Sequence, residues 1–128
     1  MANVYNTGLC PFCEMRRGII LQNKYALVIE DTFPVTKGHL LVITRRHVES
    51  FRDTTEKEKQ FLFDLVDRSI DYLNSKFSPQ GFNIGINIGE DAGQSIPHVH
   101  IHVIPRYKGD VPDPKGGVRC VIPWKQTY

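Results

Sequence analysis

The sequence predicts an α+β protein: an antiparallel sheet with one long helix and a short N-terminal helix. Three observations predict it. Leu62, Leu65, Val66, Ile70, Leu73 and Phe77 recur at helical spacing. Shorter stretches alternate apolar and polar residues with period two. Hairpin-like loops and the one long helix join those stretches, with no repeated βαβ unit, which favours antiparallel neighbours and a helix on a single face.

Each element has its own justification. Residues 10–17 can form a short helical turn that carries Cys10-Pro11-Phe12-Cys13. Tyr25 to Asp31 reads as a strand with Tyr25, Leu27, Ile29 and Asp31 on one face. Phe33-Pro34-Val35-Thr36-Lys37-Gly38 has turn chemistry at both ends, and His39 to Arg45 follows as a second strand. Thr55 with Glu58 three residues on resembles a capping box, so the long helix starts there. Ser78-Pro79-Gln80-Gly81 stops it. Phe82 to Ile88 alternates again, with Phe82, Ile84, Ile86 and Ile88 on one face and Asn83, Gly85 and Asn87 on the other. The loop Gly89 to Ser95 leads into the last strand, His98-Val99-His100-Ile101-His102-Val103. From about residue 107 the Pro-, Gly- and charge-rich tail is expected to be irregular.

The 128 residues suit one domain, 1–128, with a real core. A formal charge of +2 is too mild to argue for nucleic acid or a membrane surface as a partner. No apolar run reaches spanning length and no signal-peptide pattern opens the chain, so the expected location is cytoplasmic. Three cysteines in that setting argue against a disulfide framework.

The chemistry concentrates on the last strand. With a period of two, His98, His100 and His102 share one face while Val99, Ile101 and Val103 enter the core. Imidazole titrates near neutrality and serves as nucleophile, acid or metal ligand. The bland alternatives are a metal-sticky tract or the solvated face of an amphipathic strand. If one nitrogen of His100 donates to a backbone carbonyl, the other is free to attack. Gly89 and Gly93 let backbone amides approach an anion, Ser95 adds a hydroxyl and Asn87 a side-chain amide. A nucleophile among donors suits an anionic, electrophilic centre such as phosphorus.

The segment Asn87–Arg106, with its His-x-His-x-His run, resembles the histidine-triad (HIT) superfamily of nucleotide hydrolases and transferases. Asp31, the Pro34 loop, Gly38-His39-Leu40-Leu41-Val42-Ile43 and His47 resemble the first half of that family, and the likeness covers roughly residues 8–107. The resemblance implies a HIT-like fold, a nucleotide substrate and a homodimer. His100 matches the nucleophile that forms a nucleotidyl-imidazole. His102, Asn87, Gln94 and Ser95 match positions that touch phosphates or the leaving group. Asp31 matches the carboxylate that takes the ribose hydroxyls, and Phe12, Met15 and Ile29 fall where the family lines its base pocket. Without the resemblance these three read equally as core packing.

Cys10 and Cys13 have the spacing of half a zinc site, and His47 and His98 are the candidates to complete it. A redox pair or two unrelated thiols are the alternatives; no βαβ pattern surrounds the pair, which discounts the first. The resemblance supports a Cys-Cys-His-His structural zinc. Cys120 has no partner in sequence and reads as a small apolar residue. His39 reads as a local packing or bonding residue, with a role in the site left open.

The expected reaction has two steps: His100 attacks an α-phosphorus, the leaving group departs with a proton from the site, and water then releases a nucleoside monophosphate. Val103-Ile104-Pro105-Arg106 and the tail resemble the branch that hydrolyses diadenosine polyphosphates. Arg106, Lys108, Lys115 and Arg119 either meet a longer polyphosphate chain or form a solvated basic tail. A purine nucleoside phosphoramidase is the first alternative. A non-catalytic nucleotide-binding adaptor is the alternative of another class.

Overall fold

The computed structural model of the chain describes residues 10–14 and 18–128. Its elements in order are α1 (Pro11–Glu14), β1 (Leu21–Gln22), β2 (Ala26–Glu30), β3 (Leu40–Thr44), α2 (Glu56–Phe77), β4 (Gly81–Gly85) and β5 (His100–Arg106). The five strands form one antiparallel sheet in the order β1-β2-β3-β5-β4. This is the expected α+β architecture. The addition is β1, a two-residue strand too short to show any alternation.

Register explains why the sheet has two different faces. Val28 pairs with Val42 and Val42 with Ile101, a row that packs under Leu62, Leu65 and Leu73 of α2. The residues between them point the other way: Leu27, Ile43 and His100 form one row, and Ile29, Leu41 and His102 the next. Phe12 of α1 and Ile96 cover the apolar part of that second face. Helix α2 thus leaves the histidine face to α1 and the loops.

α2 begins where the capping box places it. Thr55 Oγ1 accepts from the Glu58 amide at 3.0 Å, and Glu58 Oε1 accepts from the Thr55 amide at 2.9 Å. Ser78 ends it in the left-handed region at φ 53°, and Pro79 cannot continue a helix.

Two strand ends differ from expectation. β3 ends at Thr44, and Ile43 pairs with His100, so the ladder of β5 starts at His100 rather than His98. His98 remains in register with the site because the Val99 amide is held by the Val48 carbonyl at 2.9 Å. β4 leaves its ladder at Gly85, opposite His102, so the expected strand over 82–88 is shorter. Ile86 still packs on the core, but Ile88 is exposed. The tail contains two 3-10 turns, Gly117–Val121 and Pro123–Lys125, and Cys120 is exposed there rather than packed as an apolar residue. Among the described residues no helix is long and apolar enough to cross a membrane.

Candidate active site

His100 lies between two rings on the site face. Its centroid is 5.2 Å from that of Phe12 and 5.2 Å from that of His102. Its Nδ1 is 2.8 Å from the His98 carbonyl oxygen, so the Nδ1–H donates there and Nε2 keeps its lone pair. Burial pushes this imidazole below its ordinary range, against the opposing effects of the carbonyl bond and Asp31. The result is a neutral ring with a fixed tautomer.

The proton positions of its neighbours follow by the same reasoning. The Val35 amide donates to His39 Nδ1 at 3.1 Å, so the His39 proton is on Nε2. That Nε2–H faces His102 Nδ1 at 2.9 Å and Asp31 Oδ2 at 3.3 Å. His102 Nδ1 therefore accepts, and its own N–H is Nε2–H, on a side chain that is 20 % exposed. Burial lowers His39 despite Asp31, so the His39–Asp31 contact is a hydrogen bond from a neutral ring rather than an ion pair. Burial, then His100 and His39, bring His102 down to about 4, against the attraction of Asp31. At neutral pH His100 presents an Nε2 lone pair, His39 bridges through Nε2–H, and His102 presents Nε2–H.

Asp31 is buried at the end of β2, with Oδ1 accepting from the Phe33 amide at 2.8 Å. It lines a hollow of about 470 Å³ together with Phe12, Ile29, Pro34 and Leu41. An apolar floor with the Asp31 carboxylate at the rim fits a planar base joined to a diol. On the far side Gly93 has φ 95°, a left-handed conformation that suits glycine. It brings the loop to within van der Waals reach of the Asn87 amide, 3.8 Å from where a Gly93 Cβ would lie.

Cys10, Cys13, His47 and His98 converge below His100. Cys10 Sγ is 3.3 Å from His98 Nδ1, Cys13 Sγ is 3.2 Å from His47 Nδ1, and the two Nδ1 atoms are 3.2 Å apart. Ligands at the usual zinc bond lengths of about 2.0–2.3 Å, arranged tetrahedrally, have separations of this order. The outer bond of His98 is also right: Nε2–H donates to the Thr44 carbonyl at 2.8 Å and leaves Nδ1 as a lone pair toward the cluster. The donor set fits a structural zinc with four protein ligands. Asp31, His39 and His102 also bring ligand atoms together, but with the opposite second shell. The Val35 amide donates to His39 Nδ1 and forces the proton onto the nitrogen that would have to bind the metal. That trio is a hydrogen-bond relay.

With this geometry fixed, comparison with known proteins is direct. A family model described as HIT domain matches residues 13–109. The chain belongs to the HIT family. The protein named Protein hit of Bacillus subtilis is 38 % identical over 107 residues, covering 79 % of this chain and 74 % of that one. The asymmetrical bis(5'-nucleosyl)-tetraphosphatase of Schizosaccharomyces pombe is 39 % identical over 92 residues, covering 72 % of this chain and 50 % of that enzyme. A Zn-bound histidine triad protein of Mycobacterium smegmatis aligns with a TM-score of 0.73 at 30 % identity, covering 90 % of this chain and 91 % of that one.

Within this HIT chain the expected residues fall as follows. His100, His102, Asp31, Phe12 and Ile29 share the face opposite α2, and Met15 lies outside the described residues. Ser95 is half-buried in the loop before β5. Gln94 is buried and engaged within that loop: Nε2 donates to the Glu49 carbonyl at 2.7 Å and the Ile96 carbonyl at 3.1 Å, while Oε1 accepts from the Gly89 amide at 3.1 Å. A contact from this side chain to phosphate requires exchange of one of those bonds. Two of the tail cations are likewise engaged, Arg106 with Asp110 and Asn83, Arg119 with the carbonyls of Lys125 and Gln126. His39, which the sequence reads as a packing or locally bonding residue with a site role left open, lies in this cluster, bonded to His102 and Asp31. The signal was its parity with Leu41 and Ile43, which puts it beside the residue opposite Leu41, His102.

Proposed function

We propose that this HIT protein is a hydrolase of nucleoside phosphate derivatives working through a nucleotidyl-histidine on His100, with dinucleoside polyphosphates as its substrate class. The observation that carries the reading is the proton inventory: a neutral His100 whose Nδ1–H is held by the His98 carbonyl, beside a neutral His102 that presents Nε2–H. The base and ribose take the hollow of Phe12, Ile29 and Asp31. His100 Nε2 attacks the α-phosphorus; the N–P bond forms and the bond to the departing oxygen breaks. Asn87, Ser95 and the loop amides steady the phosphate, and Gln94 holds that loop in place. His102 Nε2–H gives a hydrogen bond to the departing oxygen. Water then attacks the phosphorus and gives up a proton to solvent, the N–P electron pair returns to Nε2, and a nucleoside monophosphate leaves.

The low basicity of His102 favours polyphosphates over phosphoramidates. A terminal phosphate departs as a stable anion, its last ionisation being near pH 6, and needs only a hydrogen bond. An amine must be protonated as it leaves, and a ring held down at about 4 is neutral at pH 7 and a poor source of that proton. The named activity of the S. pombe relative, bis(5'-nucleosyl)-tetraphosphatase, supports the same choice.

The ligands Cys10, Cys13, His47 and His98 would hold a structural zinc, in keeping with the donor set and the Zn-bound neighbour. Cytoplasmic action as a homodimer of single-domain chains, which the family resemblance implies, completes the proposal.

The test is an assay with diadenosine tetraphosphate and adenosine 5'-phosphoramidate, using wild type and His100→Ala, with protein denatured in alkali, where an N–P bond to histidine survives, examined for a covalent adenylate. Turnover of the tetraphosphate and an adenylated wild-type chain are expected, both lost in His100→Ala. Equal inertness of both proteins on both substrates would leave an adaptor as the better account. Faster turnover of the phosphoramidate would move the protein to that branch.

A further inference from the structure

A second hollow, of about 530 Å³, opens on the other side of His102, between the sheet and the C-terminal tail. Val35, Ile104, Val118 and Val121 line it, with Asn87 and His102 among its polar groups. Among the described residues no lysine or arginine lines it. Val118 and Val121 are 62 % and 76 % exposed, apolar surface with water on one side. The turn that carries them is built in place. Gly116 has φ 92°, and a Cβ there would overlap the Gln126 carbonyl oxygen. Arg119 Nη2 donates to the Lys125 carbonyl at 3.0 Å, and its guanidinium lies 4.8 Å over the Tyr128 ring. Gly117 packs on β4, where a Cβ would lie 3.3 Å from Asn83 Nδ2.

We propose that this hollow is a leaving-group subsite, which binds the planar, apolar end of the departing group: in a dinucleotide substrate, the base of the nucleotide that leaves. The inference rests on the hydrolase reading and adds where the second half of the substrate goes. In-line displacement requires the leaving group opposite the attacking nitrogen. The nucleoside that becomes attached to His100 fills the hollow of Asp31 and Phe12. His102 touches both His100 and the second hollow, so the departing half has its apolar surface on offer there. A wall of valines without cations selects an aromatic or heterocyclic group rather than extra phosphates. Arg106 and Arg119, two of the four cations expected to meet a long phosphate chain, are engaged in holding the tail.

The experiment compares the 4-nitrophenyl ester of AMP with adenosine 5'-phosphorofluoridate, on wild type and on Val118→Asp/Val121→Asp. Both leaving groups depart as anions and differ in whether they reach the valines. Loss of apolar burial for one ring predicts that kcat/KM for the ester falls about ten-fold more than for the fluoridate. Equal losses, or no change in either, would overturn the subsite. So would a changed oligomeric state on gel filtration with unchanged discrimination, which would make the valines a contact between copies. A binding measurement separates this from failure of the hydrolase reading. In the His100→Asn background, the phenyl ester of AMP should bind about ten-fold more tightly than AMP, and the advantage should vanish with the two aspartates. If the wild type turns over neither substrate, the hydrolase reading fails, and this affinity ratio alone upholds or overturns the subsite.

Discussion

For each imidazole the question is which nitrogen holds the proton. A backbone amide, Val35 N–H, decides it for His39; His39 decides it for His102; and the His98 carbonyl decides it for His100. None of these partners is visible in composition or spacing. The alternation of His98, His100 and His102 was legible because a strand has a period of two, and the same rule put Ile29 and Asp31 on one face, while their site roles came from the family resemblance alone. The role of His39 was not legible, since a single histidine before Leu-Leu-Val-Ile has the look of a strand start. Its role predicts a kinetic separation. His39→Ala removes the donor to His102 Nδ1 and should lower kcat about 10–100-fold, as loss of an orienting hydrogen bond does, while KM stays within about two-fold. His39→Gln, which restores a donor amide, should recover part of the loss. Steady-state kinetics on a dinucleoside polyphosphate decides it: a raised KM at constant kcat would instead assign His39 to ribose binding through Asp31.

Elements read well where their signals are local and poorly where a partner sets them. The α2 cap is local, four consecutive residues from Thr55 to Glu58, and the structure has it as the pattern requires. The ends of β4 and β5 show only in the pairing across the sheet, where the last pairs are Gly85 with His102 and Ile43 with His100, and no residue inside either strand encodes that. β1 pairs through two residues and offers no pattern at all. The cap also does more than start a helix. Glu58 is buried and accepts from Arg46 Nη2 at 2.7 Å and Nε at 3.1 Å, which ties α2 to the residue before His47. The Arg46 guanidinium holds the Glu58 carboxyl below its usual range. Thr55→Ala should therefore cost about 1 kcal/mol, the usual worth of an N-cap. Glu58→Ala should cost more, about 1.5–3 kcal/mol, because a charge-assisted pair goes with the cap. Urea denaturation of the two variants measures both, and equal costs would mean that the arginine pair adds nothing.

The N-terminal turn joins the two halves of the molecule's chemistry. α1 has four residues, too few to be stable as an isolated helix. What holds it is Phe12, packed edge-on against His98 and His100, and the Cys10–Cys13 pair directed at His47 and His98. Spacing alone exposed the two cysteines, but the two histidines are 51 residues apart, and only the sheet brings them together. The same residues therefore anchor the turn and pack beneath His100. Purified protein should contain about one zinc per chain, lost in Cys10→Ser. Removal of the metal should lower Tm by more than about 5 °C, since a structural zinc contributes several kcal/mol to a chain of this size. The loss should be local. α2 packs on the opposite face through Leu62, Leu65 and Leu73, so its amides should keep their protection from hydrogen exchange, while residues 10–14 and 96–100 lose theirs. Nucleotide affinity should fall with the release of Phe12, even though no ligand-contacting residue has been changed. Metal-free protein with unaltered Tm and exchange would show that the four side chains meet by packing alone.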